Sequence, residues 1–441
     1  MTPPPLDDLA DRVSRARAAA ECPGLTFGVI LHGRMTSAAA GVVNIETGVE
    51  ARPDSLFQVG SITKAMTATL IMQAAEARLL DLDAPVETYL GRPIGKGPYS
   101  GPFSCRQLLA HLSGLDGDLF ADTGRDDEAL ARYVAQCEGL EVMSPPGLHY
   151  NYSNAGYVVL GRVLEIVHDR SFDHVLREQL LAPLGLRRST TFAEDAVFAR
   201  TAVGHAPDVN GRPALVSQVT LPRALGPAGL SLYSTVEDLL SFAKAHLAGA
   251  PTIPSSIIAA MKTPHARLID GTAWGLGWKL IDRGAVSFVG HDGGTIGQSA
   301  FLWTAPEYGL AVALCANGGD ASAAWEALAH PVFRDICGQI PQAELPAPSD
   351  GPIDLAPFVG RYENVGVDAH VTVDGDRLKV VAHQQAFALP PIVFHMRPLG
   401  GGLFRATVGQ NDRIVMGFLD FDLDGRPQLF YAGRLHRRRA S

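Results

Sequence analysis

Several kinds of chemistry are missing from this 441-residue chain. Its five cysteines, Cys22, Cys105, Cys137, Cys315 and Cys337, are scattered and form no C-x-x-C pair. That excludes a zinc knuckle and a disulfide framework. Fourteen histidines include no H-x-H or H-E-x-x-H cluster, so a metallo-hydrolase has nothing to rest on. The Walker and dinucleotide glycine signatures are absent, and so is the G-x-S-x-G elbow of α/β-hydrolases. No metal and no cofactor are therefore expected. No apolar run reaches spanning length, and the first residues carry neither a basic n-region nor an apolar h-region. The expectation is a cytoplasmic protein with no membrane partner. A formal net charge of −9 gives no attraction to nucleic acid. The basic end Arg434–Arg439 reads as a solvated terminus. No internal repeat and no low-complexity tract are visible.

What is present centres on Phe57-Gln-Val-Gly-Ser61-Ile-Thr-Lys64. A short extended run turns at Gly60 and enters Ala65–Leu80, an apolar stretch of good helix formers without Gly or Pro, which predicts a buried helix. Ser61 falls near the helix start, where unpaired N–H groups and the dipole favour a developing anion. Lys64 shares its face, three residues on. No carboxylate stands three or four residues away, so burial would lower the pKa of this lysine. A neutral lysine beside a serine hydroxyl suits nucleophilic acyl transfer. The plain alternative is a serine cap and a snorkelling lysine. Ser241 and Lys244 have the same spacing, but they lie inside a helical run and read as structural.

Two further stretches carry candidate chemistry. Pro145-Pro-Gly-Leu-His-Tyr-Asn-Tyr152-Ser-Asn154 is a loop leading into a helix. Tyr152 and Asn154 can point into one cleft, the first relaying a proton and the second orienting a carbonyl or a lysine. An aromatic staple with an Asn cap is the alternative, and Tyr362-Glu-Asn364 repeats the spacing in the tail. Gly290-His291-Asp-Gly293-Gly294-Thr-Ile-Gly297 follows a predicted strand, and its glycines let backbone approach a ligand. His291 is a candidate for proton transfer or for gripping a substrate carbonyl or carboxylate.

The order of elements predicts an α+β fold. An opening helix over Leu6 to Ala20 precedes strands at Gly24–Leu31 and Ala38–Asn44. Helices follow around 106–112, 126–138, 154–168 and 171–181. Strands return at 286–289, 299–303 and 310–316, and a helix over Ala321–Cys337 closes the unit. The expected division is a domain over 1–340, a Pro-rich linker over 341–352 and a small antiparallel β-barrel or sandwich over 353–441. The acidic stretch 116–128 is either a solvated loop or a wall that disfavours anions.

Ser61-x-x-Lys64, Tyr152-x-Asn154 and His291-x-Gly293 stand in the order and approximate spacing of the three motifs of penicillin-recognising serine hydrolases. Over about residues 20–340 the chain resembles the class C β-lactamase-like group, which includes D-aminopeptidases, DD-peptidases and family VIII esterases. Supporting phrases are Leu108-Leu-Ala-His-Leu-Ser-Gly114, Leu181-Ala-Pro-Leu-Gly-Leu186 and Pro227-Ala-Gly-Leu-Ser-Leu-Tyr-Ser-Thr235. The resemblance implies an antiparallel sheet flanked by helices beside a helical lobe. It implies Ser61 as acylated nucleophile, with Lys64 and Tyr152 sharing acid and base work. Asn154 would hold the substrate or Lys64, and the N–H groups of Ser61 and Gly294 would form the oxyanion hole. His291 stands where β-lactamases usually carry lysine, so weak or no β-lactamase activity is expected.

The tail resembles the lipocalin-like domain of some D-amino-acid peptidases and of penicillin-binding-protein-type thioesterases, which cyclise peptides. The functional expectation is a hydrolase of an amide or ester, with a small-molecule or peptide substrate that can carry a D-residue. The alternatives are an acyltransferase that ligates or cyclises a peptidyl thioester and a non-catalytic penicillin-binding sensor. The motifs leave oligomeric state open.

Overall fold

The strand Gly24–Leu31 is buried along almost its whole length, because helices cover both faces of the sheet in which it is central. In the computed structural model, which describes residues 8–345, 351, 353–385, 390–408 and 411–439, that antiparallel sheet has nine strands. Gly24–Leu31 pairs with Arg34–Asn44 on one side and with Leu310–Ala316 on the other. Gln298–Ala305, Ser287–Thr295 and Lys279–Asp282 then follow outward. Helices Leu9–Ala19 and Ala321–Cys337 cover one face. The other face meets Val236–Ala248 and the core of the helical lobe.

Helix Thr63–Glu76 is buried on nearly every side, which explains why its sequence is apolar all round and not amphipathic. It packs against Asn154–His168, whose cap is Ser153 and not Asn154: the Ser153 hydroxyl accepts from the N–H of Gly156 at 2.9 Å.

The C-terminal part is a separate, closed eight-stranded antiparallel barrel. Its first strand Gly360–Glu363 pairs with its last, Leu435–Arg439, so no edge is left exposed. Inward positions alternate as a barrel demands: Ala369 and Val371 on one strand, Leu378, Val380 and Ala382 on the next. Outward side chains of Leu429, Tyr431 and Leu435 pack on Met143, Tyr150, Ala266 and Trp274 of the first domain. Polar pins flank this contact. The Leu435 N–H donates to Asn151 Oδ1 at 2.9 Å, and the Val365 N–H to Asp116 Oδ2 at 2.7 Å.

Several expectations need correcting. His291–Gly294 does not follow a strand; the strand runs over Ser287–Thr295 and carries them within it. The opening helix begins at Leu9, and its expected residues 6 and 7 lie outside the described residues, as do 346–350 and 352 of the expected linker. The end Arg434–Arg439 is no solvated terminus. Leu435–Arg439 is the strand that closes the barrel, with Arg437 and Arg439 paired to Glu141 and Arg439 to Glu363. Charge run together in sequence is here neutralised by carboxylates: Glu141 is shared by Arg437 and Arg439, and Glu363 takes Arg439 as well. Strand Ile392–Gly400 was also missed, because Pro398 interrupts the pattern; a register shift between Pro398 and Gly400 accommodates it.

Candidate active site

Ser61 sits in a short 3-10 turn, Gly60–Ile62, which leads directly into helix Thr63–Glu76. The strand Ser287–Thr295 presses against this turn so closely that two glycines are required. A Cβ on Gly60 (φ +54°) would lie 2.5 Å from the nitrogen of Gly294, and one on Gly293 would lie 1.9 Å from the Val59 carbonyl oxygen. Glycine at 293 therefore lets the strand reach the serine, bringing the backbone of Gly294 beside the Gly60–Ser61 turn.

Lys64 is fully buried. Its Nζ lies 3.1 Å from Ser61 Oγ, 2.7 Å from Asn154 Oδ1 and 2.5 Å from the Ala228 carbonyl oxygen. Burial holds its pKa well below the usual 10.5; the Arg434 charge lowers it further, and Asp118 opposes the shift. A neutral amine has two protons for the Asn154 and Ala228 oxygens and one lone pair. That lone pair faces Ser61, whose hydroxyl then donates to Nζ. The arrangement can take the serine proton.

Asn154 is locked in orientation, because its Nδ2 donates to Asp118 Oδ1 at 2.9 Å. Asp118 in turn pairs with the Arg434 guanidinium. Arg434 comes from the turn before the last barrel strand and lies 4.7 Å from the centroid of the Tyr152 ring. Lys64 Nζ is 4.8 Å from that same ring. Tyr152 lies beside Ser61; burial keeps its pKa above the ordinary 10, and Ser61 and the Arg434 charge oppose that shift without cancelling it. Tyr152 is thus a phenol at neutral pH. It can relay a proton, but it is a poor first base.

His291 reaches the same cleft, with its ring 6.4 Å from that of Tyr152 and 5.2 Å from that of Trp274. Its Nδ1 lies 2.6 Å from the Asp292 carbonyl oxygen, which can only accept, so Nδ1 carries the proton. Nε2 is bare, buried and unpartnered. Burial, then the Lys64 charge, lowers its pKa to about 3. A neutral ring with a bare Nε2 accepts an N–H or O–H bond; it does not attract a carboxylate.

All the expected residues meet in this cleft: Ser61, Lys64, Tyr152, Asn154, His291, Gly293 and Gly294. Sequence reasoning missed Asp118, Arg434, Trp274 and His111. His111 accepts from the Ser153 N–H at 3.0 Å and stacks 4.3 Å from the Tyr152 ring, fixing the tyrosine loop from below. Asp118 lies in a loop whose sequence shows only its acidity, and Arg434 opens a basic run that reads as a solvated terminus. Among the described residues no group of three or more His, Cys, Asp or Glu is placed to hold a metal ion.

Such a fold and cleft define a class, the β-lactamase and penicillin-binding type of serine hydrolase. The Beta-lactamase family model matches residues 9–331, and the chain belongs to that family. It is 35% identical over 371 residues to penicillin-binding protein 4 of Amycolatopsis lactamdurans, covering 81% of this chain and 97% of the relative. Among solved structures, SurE superposes with a TM-score of 0.80 at 27% identity, covering 98% of this chain and 99% of that one. A D-stereospecific amidohydrolase from Streptomyces superposes with a TM-score of 0.60 at 25% identity, over 76% of this chain and all of that one (100%). The SurE likeness includes the barrel; the amidohydrolase likeness leaves about a quarter of this chain unmatched.

Proposed function

We propose that the protein cleaves an amide or ester through an acyl-Ser61 intermediate, on substrates that include a D-configured residue. The observation that carries this reading is the buried Lys64 amine, without a carboxylate in contact, poised 3.1 Å from Ser61 Oγ. Lys64 takes the Ser61 proton as Oγ attacks the scissile carbonyl. The N–H groups of Ser61 and Gly294 hold the oxyanion, and Asn154 keeps Lys64 aimed. Tyr152 relays the proton to the departing group. His291 Nε2 accepts a bond from an N–H of the leaving or incoming amine.

The D-preference draws support from the likeness to a D-stereospecific amidohydrolase. Weak β-lactamase action follows from the third motif. His291 supplies no fixed charge there, and the Arg434 charge is largely offset by its pairing with Asp118. A second reading, transfer of the acyl group to an amine, is favoured by the barrel, whose Arg434 and Tyr431 wall the cleft on the side where an amine would compete with water. The proposed division of the chain keeps 1–340 for the chemistry and 353–441 for that wall.

Initial rates on p-nitrophenyl butyrate, D-Ala and L-Ala p-nitroanilides, nitrocefin and a D-terminal peptidyl thioester, with and without an added amine, test the reading against Ser61→Ala. D-selective cleavage lost in the variant supports the hydrolase. Thioester consumption that yields mainly the amine adduct moves the assignment to acyl transfer. Turnover that survives Ser61→Ala, or none on any substrate, rejects both.

A further inference from the structure

A cavity of about 630 Å³ begins at Tyr152, Trp274 and Arg434 and passes into the barrel. Inside, its wall is mostly apolar, formed by side chains such as Ala369, Val380, Ala382 and Phe394, with the His436 imidazole opposite Phe430 as a polar group. Ala369 and Ala382 are direct partners on neighbouring strands, and both face inward. Two methyl groups stand where larger side chains would fill a small barrel, and the lumen is open at that level. Further down it is closed. The ring of Phe358 lies 5.0 Å from that of Phe404 and 4.9 Å from that of Phe418, stoppering the far end. Among the described residues the result is a mostly apolar pocket that begins at the candidate active site and ends at this stopper. At its mouth Lys279 pairs with Asp270 at 3.1 Å and Arg434 pairs with Asp118, so little uncompensated charge is offered to a ligand.

We propose that this lumen binds an apolar alkyl or branched side chain on the leaving-group side of the substrate. The side follows from geometry and rests on the acyl-Ser61 reading above. The oxyanion is held between the serine turn and the strand of Gly294, whereas the departing group must face the proton relay. Tyr152 is that relay, and it is also the residue that the serine and the cavity share. An apolar group attached to the departing atom therefore points past Tyr152 and Trp274 into the barrel. Burying it there removes its surface from water against a mostly apolar wall.

A series of thioesters of one acyl group, from S-ethyl to S-octyl, isolates this pocket. In each, Ser61 Oγ bonds to the carbonyl carbon, the C–S bond breaks, and the thiol leaves with the proton that Ser61 gave up. Every member thus forms the same acyl-enzyme, so the octyl-to-ethyl ratio of kcat/KM reads the leaving-group site alone. The expected ratio is about tenfold or more in the wild type. It should collapse to within about threefold in Ala382→Leu and in Ala369→Leu, two independent fillings of the lumen checked for native circular dichroism. In parallel, fluorescence of the apolar probe 1-aminoanthracene is titrated into Ser61→Ala, where no chemistry occurs. Saturable binding that either leucine substitution weakens severalfold supports the pocket. A flat thioester series in an active enzyme, with probe binding indifferent to both substitutions, overturns it and leaves the serine chemistry standing. Absence of turnover on every thioester instead sinks the acyl-Ser61 reading, and the probe titration then decides the cavity by itself.

Discussion

Ser61–Lys64 and Ser241–Lys244 have one spacing and opposite fates. The Ser241 hydroxyl donates back to the Glu237 carbonyl at 2.9 Å, and Lys244 extends into solvent. Ser61 stands before its helix, not within it, and Lys64 is sealed from water. The same contrast separates two tyrosine–asparagine pairs. The Tyr152 ring lies 4.8 Å from Lys64 Nζ, and Asn154 bridges Lys64 to Asp118. Tyr362 donates to the Phe358 carbonyl at 3.0 Å, and Asn364 Oδ1 accepts the N–H groups of Gly366 and Val367 in a turn. Spacing places two side chains on one face; chemistry needs in addition a buried amine, a turn that exposes the serine, and a distant partner. Backbone satisfaction is what the look-alikes achieve.

Mutating both members of each pair would break this contrast if it is false. The largest effect is expected at the serines. Ser61→Ala should lower kcat/KM on the preferred substrate by about 10⁴-fold or more, and Ser241→Ala should leave it within about twofold. At the tyrosines, Tyr152→Phe is expected to cost roughly 10²–10³-fold in kcat, the range of general acid–base assistance. Tyr362→Phe should leave rates alone and lower stability by about 1 kcal/mol in a denaturant titration. At the asparagines, Asn154→Ala should reduce kcat by about tenfold, through loss of the acceptor that aims Lys64. Asn364→Ala should instead destabilise the barrel by roughly 1–2 kcal/mol with kcat retained.

The elements legible in the sequence were those whose pattern is complete locally. Helix Ala321–Cys337 shows its period despite Pro331, and the strands around residues 370, 380 and 430 alternate as half-buried strands do. Ser61, Lys64, Tyr152, Asn154 and His291 were legible because each sits in a stretch with its own turn or strand signal. Arg434 and Asp118 were not. Their significance is a pairing across 316 residues of sequence (434 − 118), made only when the barrel docks on the first domain. Nothing near either residue announces it. His291 could be found by pattern, but its protonation could not, because that depends on burial and on which carbonyl Nδ1 meets.

The subtlest expected effect lies at that missed contact and concerns pH. A general-base lysine works only when neutral, so kcat/KM should fall tenfold for each pH unit below the Lys64 pKa, which burial holds far under its ordinary value. The Arg434 charge contributes to that depression. Arg434→Met keeps an apolar side chain over the Tyr152 ring and removes the cation. The Lys64 pKa must then rise, moving the acid limb of the kcat/KM profile to higher pH while the plateau above it changes less. Lys244→Met removes a charge of the same sign on an exposed helix face and should leave the limb where it was. His291, neutral down to about pH 3, adds no inflection of its own between pH 5 and 9. An acid limb unmoved by Arg434→Met would mean that burial alone prepares the lysine and that the barrel serves only as a wall. A limb that shifts would make the barrel part of the base.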